Sequence, residues 1–253
     1  MLGIGAGEAM NVVPFGLPWE DPAGRAARLE EAIRIIRLLW TSTRESPASF
    51  AGHYYSLRQA FLSQGPTRKP HPPIYVGAMH SKRTLEIAGR EGDGWIGWFN
   101  TPDLLEKKLK TIEEAARQAG KDPRAIDSMS HLMIAFPRDS EERKEAILGG
   151  KASLLMEKHV LGSMGYTAHL EMKQYQNFTI SKEHVGAIFR AAADIPDEYV
   201  HKSMAIGSAE EVRAKIGEYS RSGLRQVSII DLLAPKTTKR TLEIFATLLP
   251  GFR

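Results

Sequence analysis

The sequence predicts an α/β fold, a parallel sheet or a (β/α) barrel, and three observations carry that prediction. Short apolar strand patterns alternate with amphipathic helical ones about five times without an internal repeat. Capping residues stand at the joints between them. The 253 residues, 42% of them hydrophobic, suffice for a full core.

Leu2-Gly-Ile-Gly5 opens the chain as a buried strand, its glycines allowing close backbone approach, and Glu8 and Asn11 stand just past its end. Pro14, Gly16 and Pro18 forbid a helix until Asp21-Pro22, a cap followed by a first-turn proline. From Arg25 to Trp40, Leu29, Ile33, Ile36 and Trp40 recur on one helical face. Ser49-Phe50 and Tyr54 to Leu57 flank Ala51-Gly-His53 as a short hairpin. Pro73 to Gly77 is the next buried strand, followed by a helix from Ser81 to about Arg90 and a strand from Trp95 to Phe99. Asn100-Thr-Pro102 caps a helix carrying Leu105, Leu109, Ile112 and Ala116, which Gly120 ends. His131 to Phe136 is a further strand, and no strand pattern follows before Gln226 to Asp231. Residues 138–200 form a helical insertion within one domain spanning 1–253, broken at Gly149-Gly150, Gly162, Gly165 and Pro196. Ser208-Ala-Glu-Glu211 is a capping box, with Val212, Ile216 and Tyr219 facing inward behind it, and a terminal helix starts near Thr238.

Composition narrows the function. No apolar run reaches membrane-span length and no basic-then-apolar leader is evident, so cytoplasm is the default and no membrane partner is expected. The net charge of +4 is spread along helices without interleaved aromatics, which argues against nucleic acid and is compatible with an anionic small ligand. Zero cysteines exclude disulfides and thiolate metal sites. His53, His131, His159, His169, His184 and His201 show no metal-ligand spacing, and no metal is expected. The absence of G-x-S-x-G argues against a hydrolase.

Gly3, Gly5 and Gly7 approach the G-x-G-x-x-G dinucleotide fingerprint, but no helix follows them as that motif requires. A plain glycine-rich strand end and a functional loop weigh equally on spacing alone. Trp95, Trp98 and Phe99 suit a core, although the last two end a strand on the functional rim. Asp231 ends the last strand, where a site role and a capping role are equally open.

Taken in order and spacing, Leu2-Gly-Ile-Gly-Ala-Gly-Glu-Ala-Met-Asn11, the Trp19–Trp40 helix, Gly52-His-Tyr-Tyr-Ser-Leu57, Pro73-Ile-Tyr-Val-Gly-Ala78 and Ala88-Gly-Arg-Glu-Gly-Asp-Gly94 resemble the luciferase-like flavin and deazaflavin oxidoreductases. The G-x-G-x-G-E-x-x-N form resembles the branch that uses coenzyme F420: the glucose-6-phosphate dehydrogenases, methylenetetrahydromethanopterin reductases and phthiodiolone ketoreductase-like proteins. The resemblance implies a (β/α)8 TIM barrel of the bacterial luciferase type. In that family the glycine-rich strand is the fourth, so the chain would hold strands four to eight, N-terminally incomplete by roughly a hundred residues. Edges left open in this way should be covered by association, and a homo-oligomer is expected.

The same resemblance implies an oxidoreductase passing hydride between F420 and an organic carbonyl or methylene carrier, with a small-molecule substrate. An FMN-dependent monooxygenase and a non-catalytic flavin-binding protein are the alternatives. Glu8 would be catalytic, a carboxyl of raised pKa exchanging the proton that accompanies hydride transfer. Asn11 would hydrogen-bond the coenzyme. Gly77, Ala78, Met79, His80 and Ser81 would offer backbone N–H groups and a helix start to its phosphate. From residue type alone, the exposed-loop reading of His80 is the heavier. At the positions where glucose-6-phosphate enzymes grip the sugar phosphate, this chain has Phe99-Asn100, His201 nearby, and Lys239 or Arg240. That substrate is therefore not indicated.

Overall fold

The computed structural model describes residues 1–168 and 181–248. His169 and the stretch 169–180 of the expected insertion lie outside the described residues. The chain divides into two compact units, one of Met1–Gly7, Pro18–Ile96 and Lys108–Asp127, the other of Glu8–Leu17, Gly97–Lys107 and Ser128–Arg253.

In the first unit β1 (Leu2–Gly5) pairs in parallel with β4 (Ile74–Gly77), and β4 pairs in parallel with β5 (Gly94–Gly97). The register places Gly3 beside Tyr75 and Gly5 beside Gly77. Ile74 and Asp93 lock the start of β4, because each donates its backbone N–H to the other at 2.8 Å, Ile74 to the Asp93 carboxylate and Asp93 to the Ile74 carbonyl. Tyr75 hydroxyl donates to Asp127 at 2.6 Å. Its ring lies 2.6 Å from where a Cβ on Gly94 would stand, so that position tolerates only glycine.

Helix α2 (Pro22–Thr41) starts where the Asp21 carboxylate accepts the Gly24 N–H, and it buries Leu29 and Ile33. Its Glu31 carboxylate accepts the backbone N–H groups of His53, Tyr54 and Tyr55 at 2.8, 2.8 and 3.2 Å, which pins the hairpin β2 (Ala48–Ala51)–β3 (Ser56–Ala60). Three backbone donors outweigh partial burial and hold that carboxyl below its usual pKa. Helix α3 (Lys82–Glu91) packs closely on α4 (Pro102–Gln118) through Gly89, whose missing Cβ would meet the Ile112 carbonyl at 2.2 Å.

In the second unit β6 (Asp127–Ala135) is central, paired in parallel with β7 (Ala205–Ile206) and with β8 (Gln226–Asp231). The unit also holds helices α5 (Ser140–Met156), α6 (Lys158–Ser163), α7 (Lys182–Ala192), α8 (Asp197–Ser203), α9 (Ala209–Arg221) and α10 (Thr238–Leu248). The Ser208–Glu211 capping box opens α9 as the sequence predicts, and Val212, Ile216 and Tyr219 are buried. Tyr219 hydroxyl faces the carbonyls of Asn100 and Ser203, the latter at 2.9 Å, and burial pushes its pKa up. Glu142 joins α5 to α10 through Arg240 at 2.8 Å and also takes Arg138 at 2.6 Å.

Four expectations are corrected. A single helical turn, α1 (Ala9–Val12), runs into a 3-10 turn at Val13–Phe15, because the block at Pro14 leaves room for one turn before it. β5 ends at Gly97, and Phe99 beyond it takes a positive φ of 49°. β6 begins at Asp127 rather than His131. β7, only two residues long, is fixed by pairing with Ile134 and Ala135, a tertiary cause without a local pattern.

Candidate active site

The sites are built on carboxyl ends of parallel strands. In the first unit Gly5 and Gly77 end neighbouring strands side by side, and a Cβ added at Gly77 would stand 3.6 Å from the Ile4 carbonyl, an ordinary contact. Ala78 follows with both backbone groups engaged, its N–H donating to Ile96 O at 3.2 Å and its carbonyl accepting the indole N–H of buried Trp95 at 2.8 Å. Ala78 thus sets the path of the loop rather than offering a donor. Met79 and His80 carry it to Ser81, whose hydroxyl accepts the Thr84 N–H and caps α3.

The amides of Lys82 and Arg83, first in α3, have no acceptor within the helix, and both side chains are exposed, that of Lys82 paired with Glu86 at 3.8 Å. His80 is partly buried rather than loop-exposed, and burial, seconded by the Lys108 charge, lowers its pKa. A neutral imidazole is thereby favoured near pH 7.

In the second unit Glu8 is the N-cap of α1 and is partly buried, while Asn11 is exposed and donates its amide to Glu8 Oε2 at 3.0 Å. One helical turn separates the two residues, which is why the E-x-x-N spacing brings the side chains together. The carboxylate is thus oriented by a neutral donor.

The same unit holds an aromatic cluster of Trp98, Phe99 and His131. Trp98 stacks on Phe99 with centroids 5.4 Å apart and meets the His131 ring edge-on at 5.0 Å. Trp98 Nε1 and His131 Nδ1 are buried without a hydrogen-bond partner among the described residues, and burial alone lowers the His131 pKa. Unpaired buried groups of this kind cost about 1–3 kcal/mol each. The signal available in sequence was the period of β6: Met129, His131 and Met133 share one face. Asp231 is a turn cap, accepting from Leu233 N–H at 3.0 Å and Thr237 hydroxyl at 2.7 Å. Among the described residues no group of three His, Cys, Asp or Glu side chains could hold a metal ion, and no helix is long and apolar enough to cross a membrane.

Parallel strands whose carboxyl ends carry glycine loops, an acid and a helix start define the class of α/β barrel proteins that keep their chemistry at that end. The family model for luciferase-like monooxygenases matches residues 1–226, and the chain belongs to that family. It is 29% identical over 261 residues to a phthiodiolone/phenolphthiodiolone dimycocerosates ketoreductase of Mycobacterium bovis, covering 96% of this chain and 65% of the relative. It is 30% identical to an F420-dependent glucose-6-phosphate dehydrogenase of Mycolicibacterium gilvum, with 96% and 66% covered. The chain thus spans about two thirds of the length of these relatives. Among solved structures, an F420-dependent secondary alcohol dehydrogenase with an F420-acetone adduct superimposes with a TM-score of 0.77 at 22% identity, over 99% of this chain and 69% of that one. The coenzyme F420-dependent tetrahydromethanopterin reductase of Methanopyrus kandleri gives 0.73 at 20%, over 100% and 74%. These likenesses establish the luciferase-like TIM-barrel fold.

Proposed function

We propose that the chain is an F420-dependent oxidoreductase that passes hydride between the deazaflavin and an organic carbonyl or its alcohol, with Glu8 handling the proton. The observation that carries this reading is the Glu8–Asn11 pair at 3.0 Å on the turn after the glycine-rich strand, in a chain whose curated relatives include F420-dependent dehydrogenases. Asn11 holds the carboxyl at a fixed angle for a substrate hydroxyl or carbonyl.

The residues fit the coenzyme at its charged end. The first amides of α3, the Ser81 cap and the cations Lys82 and Arg83 suit a phosphate, and the glycines at Gly5 and Gly77 keep side chains away from the strand ends. F420 would supply the hydride-accepting ring, while the chain's own groups bind the tail, orient the carboxyl and hold the proton.

The test is a titration with F420 and, separately, with FMN, each followed by its own fluorescence. Saturable binding of F420 in preference to FMN is expected. FMN bound as tightly or more tightly would favour the monooxygenase alternative and overturn this reading.

A further inference from the structure

The first unit carries a cavity of about 530 Å³ at the carboxyl end of α2, where residues 61–70 on the way to β4 form the other wall. It lies at the amino ends of the strands. Trp40 on its wall meets the His71 ring at 5.9 Å, and the Pro73 carbonyl just beyond accepts the Leu2 N–H at 2.8 Å where β1 begins. Gly5 and Gly77 end the same two strands at the opposite edge of the unit.

The lining sets two rings beside two cations. Trp40 and Phe61 supply the ring surface, Arg44 and Lys69 the charge. The Arg44 guanidinium lies over the Phe61 ring at 5.8 Å, and among the described residues neither Arg44 nor Lys69 has an ion-pair partner. Exposed Arg68, next to Lys69, and exposed Arg58 on β3 are likewise unpaired among the described residues. Other cations of the unit are paired: Arg28 with Glu20, Arg34 with Glu91, Arg37 with Asp93 and Arg90 with Glu30. Glu45 is the acid of the lining, so the balance at the cavity is positive.

The hydroxyls around it are already in use. Thr41 Oγ1 donates to the Arg37 carbonyl at 3.0 Å, and Ser42 Oγ donates to the Leu39 carbonyl at 2.7 Å while accepting the Leu62 N–H at 3.3 Å. Thr43 Oγ1 accepts the Ser46 N–H at 3.1 Å. The first two bond back onto carbonyls of the last turns of α2, which blunts the negative end of that helix toward the cavity. What remains for an occupant is ring surface beside positive charge. Rings of this kind stack on planar groups, guanidinium and ammonium groups donate to oxyanions, and the volume lies in the range of small-ligand pockets.

We propose that this cavity is a second ligand site that takes a planar aromatic anion, its ring against Trp40 and Phe61 and its anionic group on Arg44 and Lys69. Standing at the amino ends of the strands, away from the ends that carry the candidate active site of this unit, it is an effector site and not a substrate site. It does not rest on the oxidoreductase reading.

The experiment titrates the chain, without coenzyme, with 1-naphthyl phosphate by calorimetry, and separately with 1-naphthol and with inorganic phosphate. Saturable binding of the aryl phosphate is expected, with 1-naphthol and inorganic phosphate each weaker by about tenfold or more, since one lacks the charge-assisted hydrogen bonds and the other the ring contacts. Arg44→Gln and Lys69→Gln, both at exposed positions, should each weaken the aryl phosphate by about tenfold, and Phe61→Ser should weaken it in part, with circular dichroism unchanged. Added salt should weaken it as well. Lys82→Gln, beyond Gly77 at the start of α3, should leave it unaltered. Absence of saturable binding, or 1-naphthol or inorganic phosphate bound as tightly as the aryl phosphate, overturns the proposal. So does an affinity that survives both Arg44→Gln and Lys69→Gln, or one that falls in Lys82→Gln, which would put the probe at the other end of the unit.

Discussion

Asn11 Nδ2 donates to Glu8 Oε2 at 3.0 Å across the single turn of α1, so a neutral amide fixes the orientation of the acid just past the glycine-rich strand. We propose that this carboxyl exchanges the proton that accompanies hydride transfer. Glu8→Gln preserves the shape and the Asn11 contact but cannot exchange a proton. Coenzyme-dependent oxidation of a secondary alcohol should fall by ~10²-fold or more in this variant, with F420 affinity nearly intact. Turnover equal to the parent would remove Glu8 from the mechanism.

Tyr219 tests the packing that supports the aromatic cluster. Its hydroxyl is buried against the carbonyls of Asn100 and Ser203, and Asn100 in turn donates to Ser130 at 3.0 Å. Tyr219→Phe leaves those carbonyls without that donor and should lower unfolding stability by about 1–3 kcal/mol in denaturant melts. An unchanged midpoint would show that the donor is dispensable.

Glu142 supplies a pH dependence. Hydrogen bonds from Arg240 and then Arg138 bring its pKa down from 4.5 to about 2. A carboxyl depressed in the folded state contributes stability that is complete above its unfolded pKa and is lost as pH falls through the folded one. The chain should therefore lose this contribution between pH 4.5 and about 2, and Glu142→Gln should flatten that limb of the stability profile. A variant with the parent's acid limb would contradict the assignment.

Strand edges bear on assembly. Among the described residues β1 pairs only with β4, and β8 only with β6. Edges of this kind promote association, and light scattering should report a homo-oligomer. A stable monomer with full coenzyme affinity would show that the edges are covered within one chain.

Much of the fold was legible because its signals are local. Asp21-Pro22 and Ser208-x-x-Glu211 mark helix starts by their own chemistry, and Ile74 to Gly77 is a continuous apolar strand. β7 was not legible, since Ala205 and Ile206 become a strand only beside Ile134 and Ala135. Glu8 and Asn11 were found by spacing, yet their hydrogen bond depends on a helical turn that Pro14 had argued against.

The most direct measurement of the central claim is F420 binding to the parent and to Gly77→Val, followed by deazaflavin fluorescence, with circular dichroism confirming equal folding. A Cβ at Gly77 is sterically acceptable to the chain itself, so loss of affinity would report on the ligand. The account predicts saturable binding to the parent, weakened by roughly tenfold or more in Gly77→Val as the added side chain obstructs the approach to the strand end. Absence of saturable binding, or equal affinity in the two proteins, would contradict it.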